Sequence, residues 1–165
     1  MTRDEIIGLF IENATKVAAE PVRVKNNDEL NHVLAPIMVQ CESIYCPGVT
    51  DTEKAIQVPP DKHNPDYVSA SVCLEEVSAA IAETGSLICS SQGGKPVQAG
   101  LLAAHHVAIL SADNIYESLD QFFSTLGDSP PTNITLETGP SRTADIELTL
   151  TIGVHGPGRL TVIVF

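Results

Sequence analysis

Apolar positions along the chain recur with two periods, three to four residues in some stretches and two in others. Over residues 4–19, Ile6, Ile7, Phe10, Ile11, Ala14 and Val17 predict an amphipathic helix. Asp4 and Glu5 lie early, where the helix dipole favours acids, and Pro21 stops it. Val22 to Lys25 reads as extended. Asp28 can cap a second helix running to about Val39, with Pro36 interrupting its pattern. Ser43 to Cys46 predicts a short strand closed by Pro47-Gly48. The proline-bearing stretch 47–66 is expected to be irregular and mobile.

Beyond residue 66 the elements are shorter. Val68 to Val72 alternates like a strand, and Leu74 to Ala82 reads as a short helix. Gly85 to Ser90 is a compact apolar strand, followed by a Gly-rich loop from Ser91 to Gly100. His106 to Leu110 is nearly continuous in apolar residues, as in a strand covered on both faces. Ile115 to Leu126 predicts an amphipathic helix burying Ile115, Leu119, Phe122, Phe123 and Leu126. Asn133 to Glu137 is a strand, Thr143 to Thr149 a short helix, and Leu160 to Val164 a final strand. Alternating strands and helices predict an α/β three-layer sandwich around a mostly parallel sheet. An exposed edge near the last strand would permit a homodimer. In such folds ligands sit beyond the carboxyl ends of strands. That rule selects three connections: Ala82–Ser86, Gly139–Asp145 and Gly153–Gly158.

A chain of 165 residues fits one domain. With 43% apolar and 18% charged residues it is not a disordered composition. No apolar run approaches the ~18 residues of a membrane span, and Met1-Thr-Arg-Asp-Glu does not open a signal peptide. A cytoplasmic protein is expected. The formal charge of −12, without a basic cluster, argues against nucleic acid and anionic membranes. Of the four cysteines only Cys41 and Cys46 are close, and their spacing lacks the paired CxxC of a structural zinc site. Reduced thiols and no metal site are the expectation. His105 and His106 open a strand, so their side chains should diverge, which disfavours a two-histidine site.

Three segments could carry chemistry. In Ala82-Glu83-Thr84-Gly85-Ser86, Glu83 could be a base, a nucleophile or a ligand anchor, beside the Thr84 and Ser86 hydroxyls and the permissive backbone of Gly85. An ordinary glycine-ended helix with a solvated Glu reads the same way. In Gly139-Pro140-Ser141-Arg142-Thr143, continuing to Asp145 and Glu147, Ser141 or Thr143 can cap a helix. Its free N–H groups, with Arg142, would make an anion pocket; capping plus a surface Arg is the plainer account. In the third segment, Gly153-Val-His155-Gly156-Pro157, His155 could act as acid or base near neutrality, hold Asp145, or merely fix a turn. There is no phosphate loop at Gly93-Gly94-Lys95, no GxGxxG and no GxSxG.

Taken together, the runs Ala80-Ile-Ala-Glu-Thr-Gly-Ser-Leu87, Gly139-Pro-Ser-Arg-Thr-Ala-Asp-Ile-Glu147 and Gly153-Val-His-Gly-Pro157 resemble the LUD-domain family, the lactate-utilisation proteins of the LutC/YkgG type. The family's versions read AIAETGTL, GPSxTADIE and GVHGP, in this order and spacing. The likeness is strong over 67–165 and weak over 1–66, within a single domain spanning 1–165. It implies a fold like the NagB/RpiA/CoA-transferase group. It also implies a cytoplasmic role in oxidising L-lactate to pyruvate beside LutA-like and LutB-like iron–sulfur subunits. Carried over by position, its polar signature falls on Glu83, Thr84, Ser141, Thr143, Asp145, Glu147 and His155, which makes Glu83, Asp145 and His155 the catalytic candidates and Thr84, Gly85, Ser86, Gly139, Ser141, Arg142, Thr143, Glu147 and Gly156 the ligand-binding candidates. Ser86 stands where the family often has Thr. The Ser91–Leu102 loop has Lys95 and Pro96 but no Arg. A second reading is a stand-alone enzyme or binder for a small anionic metabolite (a carboxylate, nucleotide or CoA thioester) at Glu83, Ser141 and His155.

Overall fold

Phe10 and Ala14, the apolar stripe of the first helix, are fully buried against strands contributed by the other end of the chain. The computed structural model describes residues 1–143, 151–152 and 155–165. Helix α1 (Arg3–Lys16) begins in a capping box, with the Thr2 hydroxyl accepting from the Glu5 amide and Glu5 reaching back to Thr2. It stops at Lys16, ahead of Pro21, because Ala18 turns left-handed at φ +65°. Strand β1 (Glu20–Arg23) follows, then α2 (Asn27–Gln40). The α2 cap is Asn26 rather than Asp28, and the helix runs on through Pro36. The missing proline N–H costs it one internal hydrogen bond. After β2 (Ile44–Tyr45), the stretch expected to be irregular contains α3 (Asp51–Ala55), opened by a capping box of Thr50 and Glu53.

The largest departure from the sequence reading lies at residues 68–82. Strand β3 is Val72–Glu76 and β4 is Ala79–Ile81, so the helix expected over Leu74–Ala82 is two strands. The stretch holds good helix formers, but each half finds ladder partners on both sides, and tertiary pairing overrides propensity. Strand β5 (Ser86–Ser90), α4 (Ala99–Leu102) and β6 (His105–Leu110) come next. The helix expected from Ile115 is shorter, because β7 (Ile115–Tyr116) takes its first residues and α5 spans Leu119–Ser124. Phe122 is buried there, while Phe123 is 48% exposed. Strands β8 (Ile134–Glu137), β9 (Arg142–Thr143), β10 (Thr151–Ile152) and β11 (Arg159–Val164) complete the chain. Thr143 lies in an antiparallel pair with Thr151, not at a helix start; the remainder of the expected Thr143–Thr149 helix lies outside the described residues.

The central sheet has five parallel strands in the order β1-β11-β6-β3-β2. The expected α/β architecture with a mostly parallel sheet is thus present. The C-terminal strand sits between β1 and β6, so it offers no edge for a dimer; the edges are β1 and β2. On one face, Leu30 and Leu34 of α2 and Ile56 pack on Val72, Leu74, Val107 and Ile109. The other face meets α1 and a second sheet, β7-β4-β5-β8, in which β5 runs antiparallel to both β4 and β8. Helix α5 covers the far side of that sheet through Phe122. The sequence reading did not anticipate this second sheet. Among the described residues no helix is long and apolar enough to cross a membrane.

Candidate functional site

The three segments singled out in the sequence gather at the amino ends of the parallel strands, not the carboxyl ends. Gly156-Pro157 leads into β11, which is in register with β6 at Arg159 and His105. Strands β4 and β8 descend toward the same end and terminate in Ala82-Glu83 and Thr138-Gly139. The end of α1 is the hub. A side chain on Gly85 (φ +69°) would strike the Ala14 amide, and one on Gly139 (φ +74°) would strike the Val17 carbonyl. Glycine is therefore required at both places by conformation and by contact. The Asn13 side-chain amide donates to the carbonyls of Ala82 (2.8 Å) and Glu83 (3.2 Å), tying the turn to α1. Thr84, Ser86 and Thr138 form a chain of hydroxyls with 2.7 Å spacings that links β5 to β8.

The second and third segments meet each other directly. The Ser141 amide donates to the Pro157 carbonyl at 2.8 Å, and a Cβ on Gly156 would sit 3.0 Å from Ser141 Cβ. Arg142 and His155 are exposed beside this junction, and Ser141 is half-buried. Asp145 and Glu147 lie outside the described residues. Glu83 is engaged elsewhere: its Oε1 accepts from the Leu119 amide at 2.8 Å, which satisfies one free N–H at the start of α5. Ser118 caps the same helix. The carboxylate proposed as base or nucleophile thus holds a helix end.

The sequence reading passed over a second polar cluster, between the two sheets. Cys73 and His106 are cross-strand partners on β3 and β6, and Glu75 lies two residues beyond Cys73, so all three share the inner face. His106 is fully buried, and its ring seats on Gly100, where any Cβ would collide with it. Nδ1–H donates to Glu137 Oε2 at 2.6 Å across the gap from β8. Nε2 stands 3.4 Å from Glu75 Oε1 without a hydrogen bond, and the Cys73 thiol is 3.8 Å from that same oxygen. Burial pushes the imidazole down, but the carboxylates of Glu137 and Glu75 outweigh it and raise His106 to about 10. Burial, reinforced by the Glu75 charge, pushes the Cys73 and Cys89 thiols well up. Neighbouring His105 does diverge, its Nε2 lying 2.9 Å from Thr161 Oγ1; burial and the Arg159 cation push it down to about 4. Among the described residues, Cys73, Glu75 and His106 are the grouping whose donor atoms could hold an ion. A C-x-E run on one strand and a His opening another were the available signals. They were hidden because Leu74–Ala82 reads as a helix.

A cleft of about 530 Å³ opens at the other end of the sheets, lined by Ser78, Ser90, Tyr116, Phe122 and Pro130 among others. Lys95 lies in a smaller neighbouring hollow. Its ammonium pairs with the buried Glu53 carboxylate and donates to the Glu76 carbonyl at 2.6 Å. The loop's basic residue is thereby committed to a structural contact.

Comparison with known proteins agrees with the motif geometry. The family model of the LUD domain matches residues 66–165, the part that contains all three segments. The chain belongs to the LUD-domain family. Lactate utilization protein C of Macrococcus caseolyticus is 36% identical over 101 residues, 58% of this chain and 44% of that protein. Its counterpart from a Geobacillus species is 33% identical over 110 residues, 62% of this chain and 46% of that protein. This LUD protein therefore matches less than half the length of these relatives. The crystal structure of a DUF162 family protein from Deinococcus radiodurans has the same fold, with a TM-score of 0.74 at 22% identity, covering 99% of this chain and 98% of that one. The fold likeness thus includes the N-terminal 65 residues that precede the family match.

Proposed function

We propose that this LUD protein is a LutC-like component in the use of L-lactate or a similar small hydroxy acid. It would support oxidation to pyruvate together with LutA-like and LutB-like iron–sulfur subunits in the cytoplasm. The observation carrying this reading is the convergence of the three family segments on the end of α1, where Gly85, Gly139 and the Ser141–Pro157 contact build one surface. The named relatives support the same direction. Among the described residues, the grouping whose donor atoms could hold an ion contains one thiol. An iron–sulfur cluster needs four cysteine ligands, or two with two histidines, which this grouping does not supply, and in this reading the electron carriers belong to the partners. In this reading Ser141, Arg142 and His155 present the exposed polar part of the surface, and Glu83, Thr84 and Ser86 keep the AETG-type turn in place.

A tagged chain expressed in its native host is expected to retain two iron–sulfur proteins, seen as brown colour and as bands identified by mass spectrometry. The isolated chain is expected to leave lactate unchanged. Full lactate turnover by the isolated chain would reject the accessory role and favour the stand-alone reading.

A further inference from the structure

The face between the two sheets holds a set of donors that neither the motif surface nor the proposed function uses. We propose that Cys73, Glu75 and His106 form a binding site for a thiophilic first-row divalent cation, with Zn²⁺ as the reference ion. The claim does not depend on the lactate reading.

Three observations carry it. First, the donor atoms already stand near coordination spacing. Tetrahedral zinc with ordinary bond lengths puts its N and O ligands about 3.3 Å apart and its S and O ligands about 3.5 Å apart. Here His106 Nε2 is 3.4 Å from Glu75 Oε1, Cys73 Sγ is 3.8 Å from the same oxygen, and all three donors lie within 4.8 Å of one another. Second, Nε2 of a fully buried histidine has no hydrogen-bond partner while aimed into this group. A buried polar atom left so is costly, and a cation would satisfy it. Third, the outer support is in place. Glu137 accepts from Nδ1–H at 2.6 Å, which is how metal-bound histidines are commonly oriented. Gly100 leaves room for the ring.

The donor chemistry selects the ion. One thiolate and one imidazole favour zinc and its softer neighbours over Mg²⁺ or Ca²⁺, which prefer oxygen. Binding forms S–M, O–M and N–M bonds and releases the thiol proton of Cys73 and the Nε2 proton of His106 to solvent. Nothing is oxidised or reduced. Since Cys73 and His106 are fully buried, the ion would enter during folding.

The test loads the full chain by refolding it with Zn²⁺ or Co²⁺ and dialysing. About one metal per chain is expected, and the Co²⁺ form should show a thiolate-to-cobalt charge-transfer band. In Cys73→Ser that band should vanish with the circular dichroism of the fold retained. Glu137→Gln, which keeps an acceptor for Nδ1–H, should weaken Zn²⁺ about 10- to 100-fold. Substoichiometric metal after refolding, or a charge-transfer band persisting in Cys73→Ser, would overturn the proposal. Should Cys73→Ser fail to fold, Glu137→Gln decides: an unchanged affinity overturns it.

Discussion

Two glycines show how much of the motif pattern is structural. Gly85 and Gly139 both have positive φ, and both lie where a Cβ would meet the α1 backbone. Gly94 also has positive φ, at +79°, but nothing stands within 4 Å of its missing Cβ. The first pair combines conformational strain with collision, and the last has strain alone. We expect Gly139→Ala and Gly85→Ala each to cost about 3 kcal/mol. For a domain of this size that lowers Tm by roughly 6–12 °C. Gly94→Ala should cost about 1 kcal/mol and shift Tm by about 2–4 °C. Thermal unfolding followed by circular dichroism measures both; equal shifts would remove the collision argument.

Among the elements, α3 is held by a charge. Glu53 is 1% exposed, and its carboxylate accepts from the amides of Val49, Thr50 and Glu76 and from the Lys95 ammonium. Burial would raise this carboxyl, but Lys95 and the amides outweigh it and hold it below the ordinary value of 4.5. A depressed carboxyl contributes stability that is complete above pH 4.5 and is lost as pH falls through the lower folded value. Stability should therefore decline below pH 4.5, with a shallower decline in Glu53→Gln. That variant leaves the little-exposed Lys95 ammonium with the Glu76 carbonyl but without a counter-charge, so it should lose about 3–5 kcal/mol at neutral pH. Urea unfolding at pH 3.5, 4.5 and 7 gives both quantities. A Glu53→Gln protein as stable as the parent at pH 7 would show that the ion pair contributes nothing net.

The elements also show what was legible beforehand. Helix α1 follows from its apolar stripe, while strands β5 and β6 and the final strand follow from short, nearly continuous apolar runs that are buried along almost their whole length. Strands β3 and β4 do not, since Glu75 and Ala79–Ile81 are locally suited to a helix and become strands through partners far along the chain. The motif segments were found by their glycines and hydroxyls, but their position at the amino ends required the topology. Cys73, His106 and Glu137 come from separate strands, so nothing local in the sequence joins them.

For the whole molecule, α1 is the part that unites the two sheets with the family segments. It packs on both sheets through Ile7, Phe10 and Ala14, and its last turn seats Gly85 and Gly139. The end of α1, outside the family match, is therefore part of the same surface. At the segment junction Arg142 and His155 are exposed side chains on a protein of formal charge −12.

Under the function we propose, this chain works in hydroxy-acid oxidation only beside its partners. The most direct measurement is lactate-dependent reduction of an electron-accepting dye by a mixture of this chain with LutA-like and LutB-like subunits, repeated with each component omitted. Dye reduction is expected in the complete mixture and should be lost when this chain is left out. Undiminished reduction without this chain, or full reduction by this chain alone, would contradict the proposed function.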